Sequence, residues 1–313
     1  MYPHPRPKVS VIIPTYSHAG LIAETIDSVL AQSLADFEII VIDDGSSDGT
    51  ANVLADYIDR ELISYHRQEN GGVASARNAG LALAQGDYIA FLDDDDTWPA
   101  DKLEWQVQCL EESPAVLVAG NMCQHGSAVG KSGCHHGSYV ELTLAEFFRT
   151  NPFASPGQTL IRRTALKLVG GFDPSIWGAD DLDLWIRLAQ LGEIRKYDRL
   201  ALFYRVHAAN ASLDLLRMAR NAQQVMVKNL LTVAPEKRRK YTRIAYRFLF
   251  RAYGKKLIWK GAQLMKQGRG RDGLAVMRGS FAIFLPRIKH DPRLLISYLL
   301  AIIKIPYKMK SVR

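Results

Sequence analysis

Gly86 to Trp98 reads "GDYIAFLDDDDTW". Tyr88 to Leu92 is an apolar, strand-like run, and it empties directly into four carboxylates, Asp93 to Asp96. Adjacent carboxylates repel, so some of their pKa values must rise in a partly buried place unless a cation is present. On an extended segment Asp93 and Asp95 point to one side and Asp94 and Asp96 to the other. One reading is a solvated acidic turn, with Asp96 or Thr97 capping the next helix. The other is a metal–phosphate site on the Asp93/Asp95 side, because Mg²⁺ and Mn²⁺ take oxygen ligands and complete their shells with water and substrate phosphates.

The residues upstream favour the second reading for Asp93 and Asp95. "KVSVIIPTY", "FEIIVIDDGSSDGT", "LISYHRQ" and "DYIAFL" read as four strands. Helical patterns separate them: "LIAETIDSVLAQS", "TANVLADYID" with Ser47 or Thr50 as N-cap, and the Ala-rich "GVASARNAGLALAQG". Apolar strands alternating with helices predict parallel βαβ units. Sheets of that kind bind ligands beyond the carboxyl ends of their strands. Thr15 and Tyr16, Asp43 and Asp44, and Asp93 to Asp96 all fall at such ends.

A second acidic cluster lies in "GADDLDLWIRL", Gly178 to Leu188. Leu182, Trp185, Ile186 and Leu188 form an apolar stripe at helical spacing, with Asp180 and Asp181 at the helix start. Acids there are favoured by the helix dipole. A carboxylate at a rigid helix start also suits a general base that takes a proton from an attacking hydroxyl.

Composition narrows the class. The chain has 313 residues, is 48% hydrophobic and contains three cysteines. Three are too few for a disulfide framework and suit a reducing compartment. No signal-peptide pattern opens the sequence. The apolar stretch "LLISYLLAII", Leu294 to Ile303, is half of the roughly 20 residues a membrane span needs. The expectation is a soluble or surface-bound cytoplasmic protein. The net charge of +8 is uneven: Pro235 to Arg313 holds 21 Lys/Arg against three acids. An acidic body therefore carries a basic, helix-patterned region from about Leu213 onward.

Together the motifs resemble one family: family 2 inverting glycosyltransferases with the GT-A fold. The resemblance rests on "VSVIIPTYSHAGLIAETIDSVLAQSLADFEIIVIDDGSSDGT", "NGGVASARNAGLALAQGDYIAFLDDDDTW", "GGFDPSIWGADDLDLWIRL" and "YRVHAANAS", in that order, over roughly residues 8–212. It implies an α/β, Rossmann-like, mostly parallel sheet flanked by helices. The glycosyltransferase domain would occupy residues 1–212 and the basic helical region residues 213–313. It also implies a nucleotide-diphosphate-sugar donor, a UDP-sugar above others, and Mn²⁺ or Mg²⁺.

By the family pattern Thr15, Asp43 and Asp44 lie near the base and ribose, and Arg77 near the base or diphosphate. Asp93 and Asp95 match the ends of a D-x-D motif, with Asp95 as metal ligand and Asp93 at ribose or metal. Asp181 matches the catalytic base, and Asp180 stands where the family more often has Glu. His207 matches a histidine near the metal and diphosphate. The substrate-binding set also takes in Pro14, Tyr16, Asp94, Asp180 and Trp185.

Other signals are weaker. "GSAVGKSG" has three residues between its glycines where a phosphate loop needs four. Cys123, His125, Cys134, His135 and His136 match no structural zinc spacing. No G-x-G-x-x-G follows the first strand, which argues against a dinucleotide oxidoreductase. The basic region interleaves cations with aromatics, "EKRRKYTRIAYRFLFRAYGKKLIWKGAQLMK". That pattern predicts a surface for anionic lipid headgroups, peripheral at the inner face of the cell membrane, rather than for nucleic acid. The acceptor expected there is a glycan or lipid-linked glycan of cell-surface polysaccharide synthesis. The competing readings are a sugar-nucleotide nucleotidyltransferase and a non-catalytic nucleotide-sugar or membrane-surface binding module.

Overall fold

The computed structural model describes residues 6–125, 138–206 and 214–288. Two compact units emerge: residues 1–147 with 151–208, and residues 148–150 with 209–313.

The first unit is built on one eight-stranded sheet. β1 (Val9–Thr15), β2 (Phe37–Asp43), β3 (Ser64–Arg67) and β4 (Tyr88–Phe91) are parallel neighbours in the order β3-β2-β1-β4. The sheet then turns mixed. β7 (Thr159–Arg162) runs antiparallel to β4 and to β5 (Leu117–Gln124). β8 (Ile194–Tyr204) is parallel to β5, and β6 (Tyr139–Glu141) closes the edge antiparallel to β8. Helices α1 (Ile22–Leu30), α2 (Thr50–Asp59) and α3 (Val73–Leu83) join the first four strands in turn. Beyond β4 come α4 (Lys102–Glu111), α5 (Leu144–Arg149), α6 (Arg163–Val169) and α7 (Asp180–Leu191). The strand-and-helix alternation read from the sequence is the observed order.

Every residue of β1 and β4 is buried. Both faces of these strands are covered, which is why they read as unbroken apolar runs rather than alternating ones. Pro14 is tolerated in a central strand because pairing with β4 stops at Ile12↔Phe91, so no ladder bond is asked of position 14 on that side. The register also aligns the strand ends. Thr15 lies level with Asp43, and Phe91 with Ile12, so the aspartates after β4 arrive beside Tyr16.

Two helix starts differ from expectation. α2 begins after Gly49 in the left-handed region, and the Asp48 carboxylate accepts from the Thr50 N–H (3.2 Å) and hydroxyl (2.6 Å). Thr50 is thus the first helical residue, and neither it nor Ser47 caps. α4 begins after Asp101 with no side-chain cap. Asp96 is turned inward and cannot serve it.

The second unit is helical: α8 (Leu215–Thr232), α9 (Pro235–Leu249), one π turn at Phe250–Gly254, α10 (Lys255–Lys266) and α11 (Gly270–Ile288). Its core holds Val225, Met226, Leu249, Leu257 and Phe284, with Phe250 edge-on to Phe284 at 5.6 Å. α10 and α11 approach closely where two glycines meet. A Cβ on Gly261 would lie 2.9 Å from the Gly273 carbonyl oxygen.

Gly86 shows how tightly the β4 entry is fitted. A Cβ there would fall 2.5 Å from the Ser10 nitrogen and 2.8 Å from the Val9 carbonyl carbon, both backbone of β1. Gly86→Ala should therefore destabilise the protein by about 1–3 kcal/mol, read as a lower urea midpoint at unchanged slope.

Candidate active site

The carboxyl ends of β1, β2 and β4 converge with the start of α7. Arg77, on α3, joins them. Its Nη2 donates to Asp93 Oδ1 (2.6 Å) and its Nη1 to Asp180 Oδ2 (2.8 Å). Arg77 is only 5% exposed and lies over the Phe172 ring at 5.1 Å. Burial works against its charge, but Asp93 and Asp180 outweigh that and hold it protonated. The planar guanidinium spans two carboxylates from different elements, which a lysine's point charge does not reproduce.

Asp93 to Asp96 form a turn, closed by the Asp96 N–H donating to the Asp93 carbonyl (3.1 Å), rather than the extended segment expected from the sequence. Asp93 and Asp95 are half-buried; Asp94 and Asp96 are buried. Asp93 also accepts from the Ser155 hydroxyl (3.0 Å). Asp94 accepts from the Tyr16 N–H (3.3 Å) and pairs with His18 Nδ1 (2.7 Å). Asp96 accepts from the Arg205 N–H (2.9 Å), and its Oδ2 has no partner among the described residues. Burial, reinforced by the Asp93 charge, pushes Asp96 up to about 8. The Asp95 carbonyl accepts from Arg205 Nε (3.0 Å). The Thr25 hydroxyl reaches the carbonyls of Asp94 (3.0 Å) and Asp96 (2.9 Å) and pins the turn to α1.

At the end of β2, Asp43 accepts from the Ser46 N–H (2.7 Å) and the Tyr65 hydroxyl (2.6 Å). Burial opposes its charge, but these donors prevail and hold the carboxyl below its usual range. Asp44 accepts from Gln68 Nε2 (2.7 Å) and from the N–H groups of Gly71 (2.8 Å) and Gly72 (2.7 Å). Asp44 thus fixes the entry to α3 and so the reach of Arg77. Thr15 is buried with its hydroxyl unpartnered among the described residues, and Tyr16 is 52% exposed at the rim.

Asp181 follows Asp180 at the start of α7. Its Oδ1 accepts from the Leu182 N–H (2.6 Å) and its Oδ2 from Asn151 Nδ2 (3.2 Å). Burial in the crowded site, then the neighbouring Asp180 charge, pushes the Asp181 carboxyl up to about 7. A carboxylate of that basicity at a helix start is suited to taking a proton near neutral pH.

The structure brings together Thr15, Tyr16, Asp43, Asp44, Arg77, Asp93, Asp94, Asp95, Asp180 and Asp181. It does not bring out Pro14 or Trp185. Pro14 is inside β1. Trp185 is fully buried, edge-on to Phe153 at 5.5 Å, because it sits on the face of α7 that packs into the core. Both side chains are buried. His207 lies outside the described residues, as do Cys134, His135 and His136.

Sequence reasoning missed Asn151 and Ser155, which hold Asp181 and Asp93 from one loop. Ser155 had a readable signal: with Gln158 it forms a capping box on the 3-10 turn Pro156–Gln158. Asn151 had none.

Among the described residues no three His, Cys, Asp or Glu are grouped to enclose a metal. The donors at hand still fit one class of ion. Asp95 is half-buried at the rim, and Asp93 beside it is engaged by Arg77 and Ser155. A Mg²⁺ or Mn²⁺ ion that takes one or two carboxylates, water and a diphosphate matches this sparse oxygen set.

Removing Arg77 leaves Asp93 and Asp180 facing each other without a cation. Arg77→Met should cost about 3–5 kcal/mol at neutral pH by urea unfolding, and Arg77→Lys should recover only part of it.

Comparison with known proteins follows this geometry. Residues 10–170 match the model for glycosyl transferase family 2. A putative teichuronic acid biosynthesis glycosyltransferase of Bacillus subtilis is 44% identical over 131 residues, 40% of this chain and 52% of that protein. An uncharacterized glycosyltransferase of Rickettsia felis is 35% identical over 194 residues, 61% of this chain and 32% of that protein. The chain thus spans only about a third to a half of the length of these relatives. Residues 1–349 of S. aureus TarS, in complex with UDP-GlcNAc, superpose with a TM-score of 0.67 at 21% identity, covering 95% of this chain and 88% of that one. Mannosyltransferase PcManGT from Pyrobaculum calidifontis, in complex with GDP-Man and Mn²⁺, gives 0.60 at 20% identity, covering 96% and 82%. These likenesses show the GT-A fold. The family model covers half of the chain, and the chain belongs to glycosyl transferase family 2.

Proposed function

We propose that the protein is a metal-dependent, inverting glycosyltransferase that moves a sugar from a nucleotide-diphosphate donor to a hydroxyl of a glycan or lipid-linked glycan in cell-surface polysaccharide synthesis. The observation that carries this reading is Arg77, which ties the Asp93 turn to the helix that presents Asp181. The donor side and the base are thereby held in one rigid frame.

In this reading Asp181 accepts the proton of the acceptor hydroxyl. Asn151 and the Leu182 N–H orient its carboxylate. The hydroxyl oxygen forms a bond to the anomeric carbon as the bond from that carbon to the diphosphate breaks. Attack comes from the face opposite the nucleotide, so the configuration inverts. Thr15, Asp43 and Asp44 shape the floor under the nucleoside, and Tyr16 offers an exposed ring at its rim. Mg²⁺ or Mn²⁺, held by Asp95 with His207 as a further ligand, supplies neutralisation of diphosphate charge when bound. UDP is the favoured nucleotide of the donor, in line with the UDP-GlcNAc complex of TarS. Polymer synthesis is supported by the teichuronic acid relative and by the chondroitin synthase of Escherichia coli, 27% identical over 244 residues.

The second unit is proposed to lie on an anionic membrane surface at the cytoplasmic face. α9 carries Lys237, Arg238, Arg239, Lys240, Arg243 and Arg247. On α10, Trp259 is 60% exposed between Lys256 and Lys260. No helix among the described residues is long and apolar enough to cross a membrane. Cations flanking an exposed indole are the chemistry of interfacial binding.

Asp181→Asn should lower transfer at least about 100-fold. UDP binding in Mn²⁺, measured by calorimetry, should persist in this variant and collapse in Asp95→Asn. The carboxylate is the working form of a base raised to about 7, so wild-type kcat/KM should climb with pH through about 7 and flatten above it. Transfer by Asp181→Asn at the wild-type rate would remove the base assignment. Nucleotide binding indifferent to Mn²⁺ and Asp95 would remove the metal.

The full chain should sediment with phosphatidylserine-containing liposomes and stay in the supernatant with phosphatidylcholine alone. The binding should be lost in about 0.5 M salt. Equal recovery from both liposomes would argue against the membrane surface.

A further inference from the structure

One half-buried cation of the first unit has no part in the scheme above. Lys196, on β8, lines a cleft of about 550 Å³. Met122, Phe153 and Leu200 give the cleft apolar walls, and Asn121, Asn151 and Gln158 give it amides. Its lining contains a single cation and no carboxylate.

The Lys196 ammonium donates to the Pro152 carbonyl (3.2 Å) and has no carboxylate within ion-pair distance among the described residues. Burial draws its pKa down, and the more distant Asp198 only partly opposes that. The Asp198 carboxylate itself is engaged by Asn121 Nδ2 at 2.6 Å. A half-buried ammonium with one neutral acceptor is under-compensated. An anion entering the cleft would complete it.

The position of the cleft adds the second half of the argument. Asn151 is both a wall of the cleft and the donor to Asp181 Oδ2. A ligand in the cleft therefore lies against the residue that orients the base. The volume suits a sugar unit or two, and the mixed apolar and amide lining suits a sugar's C–H faces and hydroxyls.

We propose that this cleft is the acceptor subsite and that Lys196 selects an acceptor sugar bearing an anionic group, a carboxylate or a phosphate, over a neutral one. The proposal rests on the glycosyltransferase reading above. Lys196 pairs with the anion; Asn151 sets the base beside the hydroxyl to be glycosylated. Gln158 is not free to read the acceptor, because its amide already holds Gly120 and Ala154.

The test uses the full chain, first titrated with UDP in Mn²⁺ and then, at saturating UDP, with D-glucuronate, D-glucose 6-phosphate and D-glucose. Saturating UDP keeps the anions off the diphosphate site. At least one anionic sugar should bind ten-fold or more tightly than glucose. Lys196→Met should abolish that preference while its melting temperature reports an intact fold, and Lys196→Arg should retain it. Tighter binding of glucuronate assigns a carboxylate, and tighter binding of glucose 6-phosphate assigns a phosphate.

Equal affinity for all three sugars, or an unchanged preference in Lys196→Met, would overturn the proposal and leave Lys196 as a strut under Pro152. UDP bound without any anion preference sinks this inference alone. Failure to bind UDP, GDP or dTDP sinks the donor reading and this inference with it.

Discussion

The first unit depends on one guanidinium. Arg77 joins a carboxylate 16 positions away, Asp93, to one 103 positions away, Asp180. The first follows the last strand of the parallel half; the second opens the helix that carries Asp181. A charge-assisted fork of this kind has a fixed geometry and loses strength steeply when its partners move. The loop at 151–158 then grips the same two places, with Ser155 on Asp93 and Asn151 on Asp181. The distance between the acidic turn and Asp181 is set by these four bonds and not by the sheet alone.

That frame also resolves the crowding at Asp93 to Asp96. Asp93, Asp94 and Asp96 are each accommodated by the protein itself. Asp93 has Arg77, Asp94 has His18, and Asp96 is raised to about 8 and so remains largely protonated at neutral pH. The sequence-based expectation placed a metal–phosphate site on the Asp93 and Asp95 side and left a structural role open to Asp94 and Asp96. In the proposed reaction a divalent ion would serve to offset the charge of the incoming diphosphate.

The parallel half of the fold was legible because its strands are buried on both faces and its helices have apolar stripes. Both patterns survive without tertiary information. The antiparallel insertion of β7 between β4 and β5 was not, since Thr159 to Arg162 is short and its partners lie far away in sequence. At the site, strand-end position and like-charge crowding revealed Asp93 to Asp96, and the helix-start acids revealed Asp180 and Asp181. Trp185 was misplaced because a tryptophan beside acidic residues reads equally well as a platform or as core, and only packing against Phe153 decides. Asn151 escaped because a single amide in a loop carries no pattern. The helix caps failed for a related reason: Asp48 competes with Ser47 and Thr50 within four consecutive positions, and backbone angle at Gly49 settles which side chain can turn back.

The two aspartates that open α7 show how function sets against stability here. Asp180 receives the Arg77 guanidinium; Asp181 receives an amide and one backbone N–H. The folded-state pKa of Asp181 stands above its unfolded value, near 7 against 3.8. The unfolded chain therefore releases this proton first as pH rises. Its contribution to stability is fully present below about pH 4 and declines through pH 7. At the pH where a base must be ionised to work, the folded protein thus holds a carboxylate that the unfolded chain would accommodate more easily. Arg77 relieves Asp181 only in part and from a distance, and burial with the Asp180 charge outweighs it. Spending the cation on Asp180 instead leaves Asp181 basic and fixed in place. Under the proposed reaction the adjacency of the two acids is a division of labour, one carboxylate paired for position and one kept basic for proton transfer.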